Sequence, residues 1–71
     1  MRNKEDYKCY EIYIKDKTSP EFIVKRAYNY ADAMRIYNSI EVTPNIEYVE
    51  LHGIGTHERY GFTHDIIDMK E

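Results

Sequence analysis

Seventy-one residues, 42% hydrophobic and 32% charged, suit one small folded domain: apolar surface is sufficient to offset the entropy of ordering the chain, and a second core is excluded. The formal net charge is −3, and the single cysteine, Cys9, has no intramolecular disulfide partner, so a disulfide-stapled secreted scaffold is excluded and a cytoplasmic protein is expected. No apolar run approaches about 18 residues and no signal-peptide core follows Met1, so neither a membrane span nor a secretory leader is expected.

In chain order, YKCYEIYIK at residues 7–15 alternates, with Tyr10, Ile12 and Ile14 on one face and Tyr7, Cys9, Glu11 and Tyr13 on the other, which predicts a strand. DKTSP at 16–20 gathers turn formers, and EFIVKRA at 21–27 reads as a second strand completing a hairpin. The pattern then becomes helical. Asn29 is suited to cap the helix and Asp32 to complement its dipole, while Tyr30, Ala33, Tyr37 and Ile40 recur on one side over residues 30–41. Asp32, Arg35, Asn38 and Ser39 then face outward, and Thr43 and Pro44 are expected to end the helix. IEYVELH at 46–52 alternates again, placing Val49 and Leu51 inward and Ile46, Tyr48, Glu50 and His52 outward. Gly53 and Gly55 then read as turn residues, Glu58 to Phe62 as a fourth strand, with Leu51 and Phe62 as anchors to the core. The tail THDIIDMKE fits either a last strand or a short helix capped by Thr63; extended structure to Ile67 is expected, with fraying over 68–71 and over residues 1–6 at the other end.

The order β, β, α, β, β implies an α+β fold: a mostly antiparallel sheet ordered 2-1-3-4, with one helix on one face. The opposite face is left open. Tyr7, Tyr13 and Tyr48 are expected there, forming a tyrosine-rich patch on and beside the two central strands.

LHGIGTHERYGFTH at 51–64 holds all three histidines and all three glycines, and invites a search for chemistry. The spacing of His52, His57 and His64 matches no compact zinc pattern, and Cys9 is remote in sequence; no metal is expected, although a hairpin that paired His52 with His57 would bring Glu58 or Asp65 near as an oxygen ligand. A dinucleotide loop would need glycine at position 58, where Glu58 stands, and the Walker ending is absent, so no nucleotide and no other cofactor is expected. Neither Cys9 nor Ser19 nor Ser39 sits in a nucleophile motif, and a chain this short rarely walls a deep pocket, so the expected protein is not an enzyme.

What remains is binding. Eight tyrosines against two phenylalanines favour contact surfaces, since tyrosine offers a large apolar ring, few rotors and one polar end. Residues 1–40 carry eight Lys/Arg and six Asp/Glu, whereas residues 41–71 carry two and seven, so an acidic C-terminal segment is available to a basic partner. The expected function is a small cytoplasmic protein–protein interaction module or inhibitor-like accessory factor, using Tyr7, Tyr13, Tyr48, Glu47 and Glu50 and possessing a face open to homodimerisation. The alternative is binding of single-stranded nucleic acid through the same tyrosines and the basic first hairpin, Lys15, Lys17, Lys25 and Arg26; the pI of about 5.6 ranks it second. Ile, Tyr, Lys and Asn, all encodable by A/T-only codons, make up 27 of the 71 residues, which points to a low-GC genome or a mobile element such as a phage.

Overall fold

A computed structural model describes residues 4–56, Arg59 and 61–71. Five elements follow in order: β1 (Cys9–Asp16), β2 (Phe22–Ala27), α1 (Tyr30–Ser39), β3 (Ile46–Gly55) and β4 (Thr63–Lys70). The four strands form one antiparallel sheet in the order β2-β1-β3-β4, the expected topology. No described helix is long and apolar enough to cross a membrane.

The alternation in β1 and β3 builds the core. Tyr10, Ile12 and Ile14 from β1 meet Val49 and Leu51 from β3 on one face, with Ala27 closing from β2 and Ala33 and Tyr37 descending from α1. Tyr10, Ile12, Val49, Leu51 and Ala33 are fully buried. Each buried aliphatic side chain contributes about 1.5–3 kcal/mol, so these few residues supply much of the stability of so short a chain.

Helix α1 starts where the capping residue demands. Asn29 lies in extended backbone, its Oδ1 accepts the Asp32 amide at 2.8 Å, and its Nδ2 donates to the Asp32 carboxylate at 3.0 Å. The end comes earlier than the sequence pattern suggests. Ile40 has already turned extended, at φ −90° and ψ 120°, and packs partly buried against the core, so the helix stops before Thr43 and Pro44 come into play. Lys70 of β4 completes this end: its ammonium donates to the Tyr37 carbonyl at 2.7 Å and lies 4.5 Å from the centre of the Tyr37 ring.

Strands β3 and β4 differ from expectation in an instructive way. Gly53 and Gly55, expected in a turn, are buried inside β3, which runs three residues past His52. The connection is residues 56–62, and β4 begins at Thr63, so Gly61 and Phe62 precede the fourth strand rather than belonging to it; Glu58 and Tyr60 lie outside the described residues. Phe62 is 66% exposed and anchors nothing. The glycine that serves the turn is Gly61, with φ at +85°. Pairing continues to Val49 opposite Lys70, beyond Ile67.

A bulge opposite Leu51 and His52 inserts Ile67 into β4. It interrupts the alternation of β4: Ile66 stands opposite His52 on the open face, Ile67 packs against the core, Asp68 opposite Leu51 stays on that same side, and Met69 opposite Glu50 returns to the open face.

Candidate functional surface

The register of the sheet defines what the open face displays. Residues paired across the strands share a face, so Phe22, Val24 and Arg26 of β2 stand beside Lys15, Tyr13 and Glu11 of β1. These in turn stand beside Tyr48, Glu50 and His52 of β3, which meet Met69 and Ile66 of β4. Helix α1 packs on the other side, and no element among the described residues covers this face. Phe22 is 47% exposed, Val24 46%, Ile66 60% and Met69 50%, an apolar content that water alone does not favour.

Aromatic rings cross the whole sheet on this face. Phe22 lies edge-on to Tyr13 at 5.9 Å between centroids, Tyr13 is tilted over His52 at 4.2 Å, and His52 meets His64 at 4.9 Å. Tyr48 joins from the side, 6.1 Å from Phe22. The ribbon therefore runs from edge strand to edge strand. Edge-to-face and offset contacts of this kind hold rings in fixed orientations, so the surface is preorganised.

A polar network lies within the ribbon. Glu11, only 8% exposed, accepts a 2.8 Å charged hydrogen bond from Arg26 and a 3.0 Å bond from the Tyr13 hydroxyl. The Arg26 bond lowers the Glu11 pKa and the Tyr13 bond adds to this, outweighing the burial that opposes it. Burial, reinforced by the Glu11 carboxylate, pushes the Tyr13 phenol up, so Tyr13 remains a neutral donor. Because the Glu11 pKa is depressed on folding, its stabilisation is present above the ordinary carboxylate range and is lost as pH falls through the folded value. Wild-type protein is expected to lose stability on acidification below about pH 4.5, and Glu11→Gln to lose less over the same interval; chemical denaturation at stepped pH measures both slopes.

The expected site residues divide. Tyr13, Tyr48 and Glu50 lie together on the open face, and Glu47, exposed at the end of β3, lies 3.8 Å from the Lys15 ammonium. Tyr7 does not join them. It precedes β1 and crosses to the helix side, where its ring covers Gly53, meets Tyr10 at 5.9 Å and donates its hydroxyl to Asp65 at 2.6 Å. The cause is coverage: α1 packs over β1, β2 and β3 and meets β4 through the Lys70 side chain at its far end, and Tyr7 fills the space over the sheet that the helix leaves near Gly53 and Asp65. Asp65 and Asp68 follow it. They pair with Gly53 and Leu51 on the helix side, so the acidic part of β4 borders the tyrosine face rather than extending it.

Phe22, Val24, Ile66 and Met69 join this surface without having been expected there, whereas His52 takes the outward position that the alternation of β3 predicts. Two of them were accessible, because Phe22 and Val24 alternate with Lys25 in an edge strand. Ile66 and Met69 depend on the bulge, which no local pattern announces.

The histidines also regroup. His52 Nδ1 lies 2.7 Å from His64 Nε2, and His52 Nε2 lies 3.1 Å from Glu50 Oε1. His57 and Glu58 lie outside the described residues, while Asp65 turns to the other face to accept from Tyr7. No protein-family model, no curated protein and no solved structure matches this chain.

Proposed function

We propose that this chain is a small, non-enzymatic protein-binding module whose contact surface is the open face of its sheet. One observation carries the reading: Phe22, Val24, Tyr13, Tyr48, Ile66 and Met69 share one face of the sheet, which no element among the described residues covers. Interfaces concentrate such residues at their centre and place polar groups around them. Here Lys15, Glu47 and Arg26 supply polar groups, and Asp65, Asp68 and Glu71 give the neighbouring edge an acidic character suited to a basic partner.

Recognition of single-stranded nucleic acid ranks second. The rings would serve for stacking, but both cations on this face are engaged: Arg26 with Glu11 at 2.8 Å, and Lys15 with Glu47 and with the carbonyls of Asp16 and Ser19. Phosphate binding would have to displace those partners.

Replacing Tyr13 and Tyr48 together by serine tests the main reading. Recovery of a partner from cell extract is expected to fall about tenfold or more, while the circular dichroism spectrum is retained. Unchanged recovery by a folded variant would contradict it, and salt-sensitive capture of a labelled oligonucleotide at low ionic strength would favour the second reading. Light scattering on the isolated protein shows whether the partner is a second copy.

A further inference from the structure

We propose that His52 and His64 form a binding site for a zinc-class divalent transition-metal ion, with Glu50 as the group that orients it. Both imidazoles lie on the open face proposed above as the docking surface, but the site rests on where their ring nitrogens point and stands whether or not a protein docks there.

The hydrogen bonds fix the starting state. A carboxylate only accepts, so the 3.1 Å contact with Glu50 places the His52 hydrogen on Nε2. In neutral His52 the Nδ1 atom then carries a lone pair, which accepts from His64 Nε2 at 2.7 Å. This is the arrangement in which metal-binding histidines are held: one ring nitrogen donates to a carboxylate, and the other presents its lone pair to the ion. His64 needs only to move its hydrogen from Nε2 to Nδ1, a change of tautomer that leaves it neutral, for two lone pairs to converge on one point.

The geometry requires a small adjustment. Tetrahedral zinc with bonds of about 2.0–2.1 Å separates two imidazole nitrogens by about 3.3 Å. His64 is exposed on edge strand β4, so its ring can withdraw by that difference without disturbing the core. His52 is held more firmly, between the Tyr13 ring at 4.2 Å and the Glu50 carboxylate. One ligand is thus preorganised and the other is adaptable.

The surroundings favour a cation. Glu50 bonds to the far side of His52, and Glu11, the cross-strand neighbour of His52, interacts electrostatically with His64. Arg26, the nearby positive group, is drawn to Glu11. Among the described residues no group of three or more His, Cys, Asp or Glu is arranged to hold a metal, so the remaining positions belong to water or to an incoming ligand. Such an open two-imidazole site suits zinc, copper(II) or nickel, which accept nitrogen ligands readily, rather than calcium or magnesium.

Titration of the full chain with zinc chloride, followed by NMR of the imidazole nitrogens, tests this. Saturable shifts of the His52 and His64 rings at submillimolar zinc are expected, together with a raised melting temperature, because the ion ties β3 to β4. The exposed substitution His64→Gln should weaken binding at least about tenfold without loss of fold, and Glu50→Gln, which keeps both imidazoles, by about 10- to 100-fold. Ring signals indifferent to millimolar zinc would overturn the site, as would affinity unchanged in His64→Gln. Affinity unchanged in Glu50→Gln would overturn the role assigned to that carboxylate.

Discussion

Substituting Gly53 by alanine is expected to destabilise the protein by about 1–3 kcal/mol, and valine there to cost more. A Cβ built on Gly53 would stand 2.6 Å from Cγ and Cδ2 of the Tyr7 ring and 2.7 Å from Cδ1 of Ile67. The isoleucine tip can rotate, but Tyr7 is contacted near the root of its ring and is held by its hydroxyl bond to Asp65. Accommodating the methyl group therefore means displacing Tyr7 from the sheet. Gly61 provides the contrast. A Cβ there meets nothing within 4 Å, and the cost of alanine is only the strain of φ near +85°, about 1–2 kcal/mol. Urea denaturation of the two variants distinguishes steric exclusion from backbone strain, and Tyr7→Ala in the Gly53→Ala background should cancel part of the first effect. Simple additivity of those two substitutions would show that the ring is not what excludes the side chain.

Replacing Leu51 by alanine should cost more, about 2–5 kcal/mol. Leu51 is fully buried in β3, opposite Ile12 of β1 and Asp68 of β4, so little surrounds it that can collapse into the space. A domain of this length is expected to have only about 4–11 kcal/mol to lose, so the variant should melt far below the wild type or be partly unfolded at ambient temperature. A loss below about 1 kcal/mol would mean that the core repacks freely around β3.

Much of the fold follows from periods of two and 3.6 read directly from the chain. Tyr10, Ile12, Ile14, Val49 and Leu51 alternate where they should, and Ala33 and Tyr37 recur on the helix side. The misreading of β3 has a definite physical source. Gly53 has no side chain because a side chain from elsewhere, Tyr7, occupies its place, and in sequence such a glycine looks the same as one chosen for a turn. The same contact explains why Tyr7 leaves the open face: it lies ahead of Cys9, where β1 and its alternation begin, and the part of the sheet beside β4 that α1 leaves uncovered takes its ring. Tyr13, Tyr48 and Glu50 kept the expected face because their neighbours in register fix it on both sides. The bulge at Ile67 was invisible for the opposite reason, since it follows from fitting β4 onto β3 and not from anything local to THDIIDMK.

These placements shift the surface from tyrosine alone to an aromatic ribbon with aliphatic flanks. Five side-chain rings, two of them imidazoles, span all four strands, and a buried carboxylate sets the orientation of one phenol and one guanidinium. A partner that recognises this face meets a rigid surface, with little ordering left to do on binding.

Site-specific photo-crosslinking in the native host tests that claim most directly. A crosslinking side chain at Val24 reports on the open face, and one at Asn38 reports on the exposed outer side of α1. Discrete adducts are expected from position 24, lost when Tyr13 and Tyr48 are serine, and none from position 38. Adducts from position 38 with none from position 24 would contradict that claim, and would move the binding surface to the helix.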